Sequence, residues 1–574
     1  MSDTPNNPGP QKELSTELRL LIAFALMGVV LFASPYFFKM FAPPPPAKTS
    51  APQQKTAAAV PPPEAAPVPA PAETNEQPAA TAEQVAAQKE ESFVVDTDLY
   101  KVVFSNRGAV VKQWILKKYT DENGKQLELV NTAAESKVGP PFELLFDQRK
   151  PAVDLNSVLY AAQPSDDGLG IAYEFSDGAV VARKTFRFQK SQYVAQVSTE
   201  VSEKGAPVAH LIGWRGGFGD PSVVNPSAQH TICFDLTAQK LVTKDVKAAK
   251  NGTVTSEGNF SFAGVEDTYF TAAFLPAAGG SLKVLTFSDS VATAADPKEQ
   301  PRVGAGIGGS GHNVFAAFVG PKDLDVLTKV NPKLGSIIDF GWFSFLAKPL
   351  FLALHYTNDK WVHNYGWAII TVTVIINFLL FPLKLSNLKS MKKMQALKPQ
   401  IDAINEKYKG ISMRDPRKQQ QNEETMALYK KHGANPMGGC LPMVIQIPFF
   451  IAFYRVLVVS IELRHANWLW VSDLSAPEHI AIRILPIAMI ATQFLMQKMT
   501  PTTSVDPNQQ RMMLMMPLVM GFIFYGLPSG LVLYYFTSNL VGIAQQVFFN
   551  KTVTIADLPQ PPPAGKKQNG RNKR

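Results

Sequence analysis

Beyond residue 335 the chain is dominated by apolar runs of helix length, and such runs leave few ways to fold. Tyr365–Leu383, Leu441–Leu463, Ile480–Met496, Met512–Leu527 and Leu531–Phe549 carry at most two charged residues each, and Leu18–Phe41 near the N-terminus is alike. Crossing a hydrocarbon core of about 30 Å takes roughly 20 apolar residues at about 1.5 Å per residue. Six runs therefore predict six transmembrane spans. The first competes with a cleaved signal peptide ending near Phe32-Ala33-Ser34, but its apolar character continues through Tyr36-Phe37-Phe38, which favours an uncleaved anchor. Ile337–Tyr356 is rich in aromatics yet holds Lys348-Pro349 at its centre, which suits a helix lying in the membrane interface. The mean hydropathy of −0.02 conceals all of this by averaging unlike halves.

Charge orients the spans. Within the loop 384–436, Lys384 to His432 hold twelve Lys or Arg against five Asp or Glu, a net of +7, and the tail 550–574 holds six against one, a net of +5. Cytoplasmic loops concentrate Lys and Arg, so both segments belong in the cytoplasm. Six spans then return residues 1–17 to the same side, together with the loop 497–511. Met391, Met394, Leu397, Ile401, Ile404 and Tyr408 recur at spacings of three and four, which suits an antiparallel helical hairpin of Leu385–Lys409 and Arg417–His432. An ordinary solvated basic loop remains the alternative. A basic hairpin beside a membrane is suited to anionic lipid, RNA or a ribosome.

Residues 42–91 are Pro- and Ala-rich with few large apolar groups to bury, so they are predicted to be an extended tether. Residues 92–330 change to short alternating runs separated by Gly, Asn, Asp and Pro, the pattern of a large antiparallel β domain lying outside the membrane. Val181 to Phe188 is one such run, with Arg183, Lys184 and Arg187 interleaved. Gly304-Ala305-Gly306-Ile307-Gly308-Gly309 superficially fits a nucleotide-binding pattern, but no helix-period segment follows it, so a flexible loop is expected. His210 and His230 lack metal-ligand spacing and are taken as structural or surface residues. Cys233 lies outside and Cys440 at the cytoplasmic end of a span, so the two cannot bridge. No activity is assigned to this domain.

Hydroxyls and amides in the spans are the remaining signal, because an unpaired polar group in hydrocarbon costs free energy. Thr373 and Asn377 lie one turn apart, as do Gln493 and Gln497, while Tyr535, Asn539, Gly542 and Gln546 share one face of the last span. Each pair alone reads as interhelical glue. Polar stripes on several helices together predict a shared wet cavity.

The stretch from Met426 to Leu457, MALYKKHGANPMGGCLPMVIQIPFFIAFYRVL, is similar to the signature of YidC-type membrane protein insertases, as are QKMTPTT at 497–503 and LPSGLVLYYFTSNL at 527–540. The anchor, tether and outer β domain resemble the long Gram-negative form of that family. The resemblance implies a multi-domain membrane protein of the bacterial inner membrane: a periplasmic β-supersandwich and an α-helical core in which five of the six spans surround a hydrophilic groove. That groove is expected to open to cytoplasm and lipid but not to the outside. It also implies insertion and folding of membrane proteins, with nascent membrane proteins, the Sec translocon, membrane lipid, the ribosome and signal recognition particle components as partners. No cofactor, metal, catalytic residue or specific nucleic-acid sequence is implied. Thr373 and Tyr535 become the expected substrate contacts, in a groove further lined by Asn377, Gln493 and Asn539. Members of the family usually carry a groove arginine at the position occupied here by Asn377.

Arg455, in the third span, is the expected substitute, since an arginine at a helix centre costs about 2.5–3.5 kcal/mol to insert. Depth argues against it, because Asn377 lies roughly 9 Å and Arg455 roughly 21 Å from the cytoplasmic end. Gln446 is also half a turn out of phase with Arg455, so one straight helix cannot aim both into the groove. Glu462 is an alternative partner for Arg455. Two other classes compete. A secondary transporter should show inverted repeats and intramembrane carboxylates. A membrane-anchored sugar-processing enzyme should show an acid/base pair in the β domain. Neither feature is evident in the sequence.

Overall fold

The computed structural model describes residues 83–553 apart from 122–123, 222–228, 278–280, 295, 412–414, 433–440 and 500–506. The expected anchor, most of the tether, Cys440 and most of the C-terminal tail lie outside the described residues. The tether ends earlier than its composition suggests. Val85 bridges to Ser176, the Ala87 N–H donates to the Leu159 carbonyl, and Glu90 pairs with Arg107 at 2.8 Å.

The alternating runs become antiparallel strands. Ser92–Asp96, Tyr100–Ser105, Val110–Thr120 and Gln126–Glu128 form a four-stranded sheet that packs on a fourteen-stranded one. Trp114 and Phe104 of the small sheet meet Trp214 and Phe186 of the large one at ring-centre distances of 6.4 and 4.8 Å. Val180–Phe188 shows why alternation was readable: every second side chain faces the core. Lys184 is among the inward ones. Its ammonium donates to the carbonyls of Gly108, Ala109 and Phe142 at 2.7, 3.1 and 2.8 Å, and burial pushes it down to about 7. His210 is buried as a structural residue, bonded to Thr199 and the Val208 carbonyl.

The glycine-rich stretch is a strand, not a flexible loop. Gln300–Ser310 pairs along its length with Ser281–Val291, and its glycines leave room for close neighbours rather than for a ligand. A Cβ at Gly308 would sit 2.7 Å from the His210 carbonyl oxygen, and its φ of +149° is one that other residues rarely adopt.

After the short helix α1 (Leu324–Val330), capped by Asp323, come α2 (Ser344–Thr357) and α3 (Tyr365–Leu379). Among the described residues no single helix is long and apolar enough to cross a membrane; the segment Ser344–Val362 and α3 pass that test together but are bent by 115°. The bend accords with an interfacial helix followed by a span. The span count of six therefore still rests on the sequence.

Several boundaries move. α3 stops at Leu379 rather than Leu383 because Pro382 opens the next helix, α4 (Phe381–Ala396). The hairpin continues with α5 (Lys398–Lys407) and α6 (Arg417–Lys431), whose small core joins Met391, Met394, Leu397, Ile401 and Tyr429. α7 (Leu441–Val459) ends at an extended Ser460, short of Leu463. α8 (Ile484–Met499) starts after Arg483, which bonds the Glu478 and Tyr525 carbonyls. α9 (Pro507–Phe524) and α10 (Ser529–Thr552) are the last helices of the described residues, and both α8 and α9 intrude on the loop expected at 497–511.

The segment 460–483 between α7 and α8 joins the two halves. On one side Arg464 forms a buried ion pair with Asp220 of the β domain, its guanidinium 5.4 and 5.8 Å from the rings of Tyr269 and Phe270. On the other side the Leu474 and Ala476 carbonyls accept the Gly530 and Ser529 N–H groups of α10 at 2.9 and 2.8 Å. A Cβ at Gly530 would meet Leu457 at 2.9 Å and the Leu474 oxygen at 3.0 Å, so a larger residue there would crowd the start of α10. Asn364 at the head of α3 also reaches the Asn467 carbonyl.

Removing one member of a buried ion pair strands the other, at a cost of about 3–5 kcal/mol. Asp220→Asn is therefore expected to lower the unfolding free energy by about that amount, and adding Arg464→Met to recover most of it. Chemical denaturation of the detergent-solubilised protein measures both.

Candidate functional site

Six polar residues of α10 fall in two rows, each spaced i, i+4, i+11. Tyr534, Ser538 and Gln545 form one, and Tyr535, Asn539 and Gln546 the other.

The first row faces α3 and α7. Gln446 of α7 donates to the Tyr534 hydroxyl at 2.9 Å and to Ser538 at 3.4 Å, while the Tyr534 ring stacks on Phe453 with centres 4.3 Å apart. Ser538 donates to Asn377 Oδ1 at 3.4 Å, and Gln545 Nε2 to the Asn377 carbonyl at 3.1 Å. Asn377 Nδ2 donates to the Thr373 carbonyl, and the Thr373 hydroxyl in turn to the Ile369 carbonyl. Lys384, at the start of α4, reaches back to Asn377 Oδ1 at 2.6 Å.

The second row faces α8. Asn539 donates to Thr492 at 3.3 Å and Gln546 to the Met499 carbonyl at 2.8 Å. Tyr535 sits between Phe450 of α7 and Phe524 of α9, at 6.4 and 4.9 Å.

The structure thus divides the residues expected around one cavity. Thr373 and Asn377 belong to the first seam; Asn539 and Tyr535 to the second. Thr373, Asn377 and Asn539 are buried against their partners rather than lining open space. Gln493 is half-buried on α8, and its Oε1 has no partner among the described residues. Arg455 joins neither seam. It is exposed and passes beside Gly341, just before α2, on the opposite side of α7 from Gln446. The phase argument decided this: of Gln446 and Arg455 only one faces inward, and it is the amide.

Sequence reasoning missed Tyr534, Ser538, Gln545 and Lys384. The first three repeat the chosen stripe one residue earlier, so a second row was there to be found. Lys384 was counted with the basic loop.

α9 packs mainly on α8 and turns Met515, Leu518, Val519 and Phe522 outward at i, i+3, i+4 and i+7, with Phe522 86% exposed. Phe524, which meets Tyr535, lies on the opposite, buried face of α9. The outward stripe is the surface a hydrophobic segment or a lipid chain would meet.

Residues 357–556 match the family described as the 60Kd inner membrane protein, and residues 92–353 the one described as the YidC periplasmic domain. A membrane protein insertase YidC from Geobacter sp. strain M21 is 36% identical over 480 residues, covering 80% of this chain and 85% of its own. One from Geotalea daltonii is 35% identical over 559 residues, covering 94% and 99%. The chain belongs to the YidC family. A solved structure described as an active YidC insertase with its first transmembrane domain resolved covers 82% of this chain and 95% of its own, at 20% identity and a TM-score of 0.36. As a YidC-family member the chain is an inner-membrane protein whose β domain is periplasmic. The β domain and the helical core each fall within one of the matched segments.

Asn377 accepts from or donates to four neighbours, so replacing it strands several at once. Asn377→Leu is expected to destabilise the bundle by about 1–3 kcal/mol through the unpaired Ser538 and Lys384 groups, measurable as a lower thermal midpoint in detergent.

Proposed function

We propose that this protein inserts integral proteins into the inner membrane from the cytoplasmic side and assists their folding, with no bond made or broken. The observation that carries the reading is the identity to insertases over most of the chain, joined to a bundle whose polar seams end at the basic hairpin. The relatives are insertases rather than enzymes, and nothing in the cycle needs a cofactor.

A nascent chain meets the basic hairpin, whose net charge of +7 favours RNA-bearing or acidic partners such as the ribosome, and the tail past Phe549. The signal recognition particle and the Sec translocon belong to the same proposal, as does a cytoplasmic position for both termini. The polar tail of the substrate enters between α3, α7 and α10, where Asn377, Ser538 and Gln446 exchange their mutual hydrogen bonds for bonds to the tail. Exchange costs little compared with exposing an amide to hydrocarbon. Its hydrophobic segment meanwhile leaves along α7 and α9, past Tyr535 and the outward Met515 and Phe522. Flexible and aromatic side chains suit varied apolar sequences there.

Purified protein in liposomes, given a small single-span substrate with a short polar tail, tests the reading. Protease-protected insertion well above that of protein-free liposomes is expected. Insertion no better than in empty liposomes contradicts it. Removing residues 92–320 should leave most of this activity, whereas a sugar-processing enzyme would lose everything.

A further inference from the structure

Neither seam holds Arg455, yet a guanidinium on the outside of a membrane helix must find an anion somewhere. Arg455 projects from α7 four residues before that helix ends at Val459, about 6 Å in from the end joined to the periplasmic domain. Glu462 does not serve it. The helix stops and Ser460 is extended, so the face the two would share is broken before Glu462 is reached. Among the described residues no carboxylate pairs with Arg455, and no acceptor takes any of its N–H groups.

The surroundings set its depth. Its guanidinium lies along the backbone of Gly341, at the entry to α2. A Cβ there would stand 3.2 Å from Arg455 Nε and 3.5 Å from Cζ, and the φ of +70° already favours glycine. Asp339, the nearest acid in that segment, directs Oδ1 to the Gly341 N–H at 2.8 Å instead. Trp342 and Phe345 flank the same entry and are 76% and 73% exposed. Exposed aromatics of this kind mark the level of the lipid headgroups.

An arginine one turn from the end of a span avoids hydrocarbon by stretching toward that level. What it meets there is phosphate. The planar fork of a guanidinium matches two oxygens of a phosphodiester, and the pairing is stronger in a half-wet boundary than in bulk water. A zwitterionic lipid carries its own ammonium beside its phosphate, so a net-anionic headgroup gains more from the pairing. Lys348, exposed on the outward stripe of α2 with Phe345 and Leu352, adds a second cation to the same boundary.

We infer that Arg455 is the phosphate-binding residue of an anionic-phospholipid site in the outer leaflet, between α7 and the start of α2. Gly341 is its positioning residue, leaving room for the guanidinium. A lipid held there ties the interfacial helix to α7 at the end of the bundle away from the hairpin, whatever passes through the seams.

The test uses the full chain in phosphatidylcholine vesicles that contain a small fraction of phosphatidylglycerol with a photoactivatable headgroup. Peptide mass spectrometry after illumination maps the adducts. Adducts on the peptide carrying Gly341 to Phe345 are expected. Arg455→Gln should lower them about tenfold, whereas Arg455→Lys should keep them within about threefold of the unaltered protein. A second comparison does not depend on a variant folding. In the unaltered protein, photoactivatable phosphatidylcholine at the same fraction should label this peptide far less, and added inorganic phosphate should leave phosphatidylglycerol labelling unchanged. Equal labelling by the two lipids, displacement by inorganic phosphate, or undiminished adducts in Arg455→Gln each overturn the inference.

Discussion

An amide placed among hydrocarbon chains must find a partner inside the protein, and that constraint organises the helical half. α10 carries six hydroxyls and amides in two adjacent rows, the first answered by α3 and α7 and the second by α8. Pairing of this kind is modest in strength, about 0.6 kcal/mol per contact on average in membrane bundles. Modest bonds can be exchanged. A dry leucine seam would be as well packed but would offer a passing polar segment nothing in return.

The two ends of the bundle are built for different ends. At the β-domain side the segment 460–483 lies across the helix termini, held by backbone bonds to α10, by Asn364, and by the buried Arg464–Asp220 pair. It leaves the outer ends of α3, α7 and α10 tied to one another and to the periplasmic domain. At the hairpin side the seam ends in Asn377, Gln545 and the half-buried Lys384, next to a helical hairpin with its own small core. The bundle is thus tied together at one end and carries polar side-chain contacts at the other.

Much of this was legible from residue patterns. The period-two runs became strands because a half-buried sheet face forces alternation, and the hairpin's three-and-four spacing became a real core. The errors share a cause: one-dimensional patterns do not reveal what approaches a segment from elsewhere. Lys184 was visible only as one of the basic residues interleaved in its run, yet three carbonyls distant in sequence receive it. The glycines at 304–309 looked like a loop, but they are small because neighbouring strands crowd them. Polar stripes were visible on each helix, whereas their division between two seams depended on how α10 sits between α3 and α8. Arg455 drew attention as a buried charge by position in the run, although only packing decides which side of a helix is buried.

The central claim is that water and polar peptide reach the first seam from the hairpin side alone. Ser538→Cys, in a protein whose own Cys233 and Cys440 are replaced by alanine, measures this most directly with a membrane-impermeant maleimide applied to each face of oriented vesicles. The account predicts labelling from the hairpin face and none from the β-domain face. Labelling from neither face would mean a dry seam, and labelling from both a continuous pore; either result contradicts it.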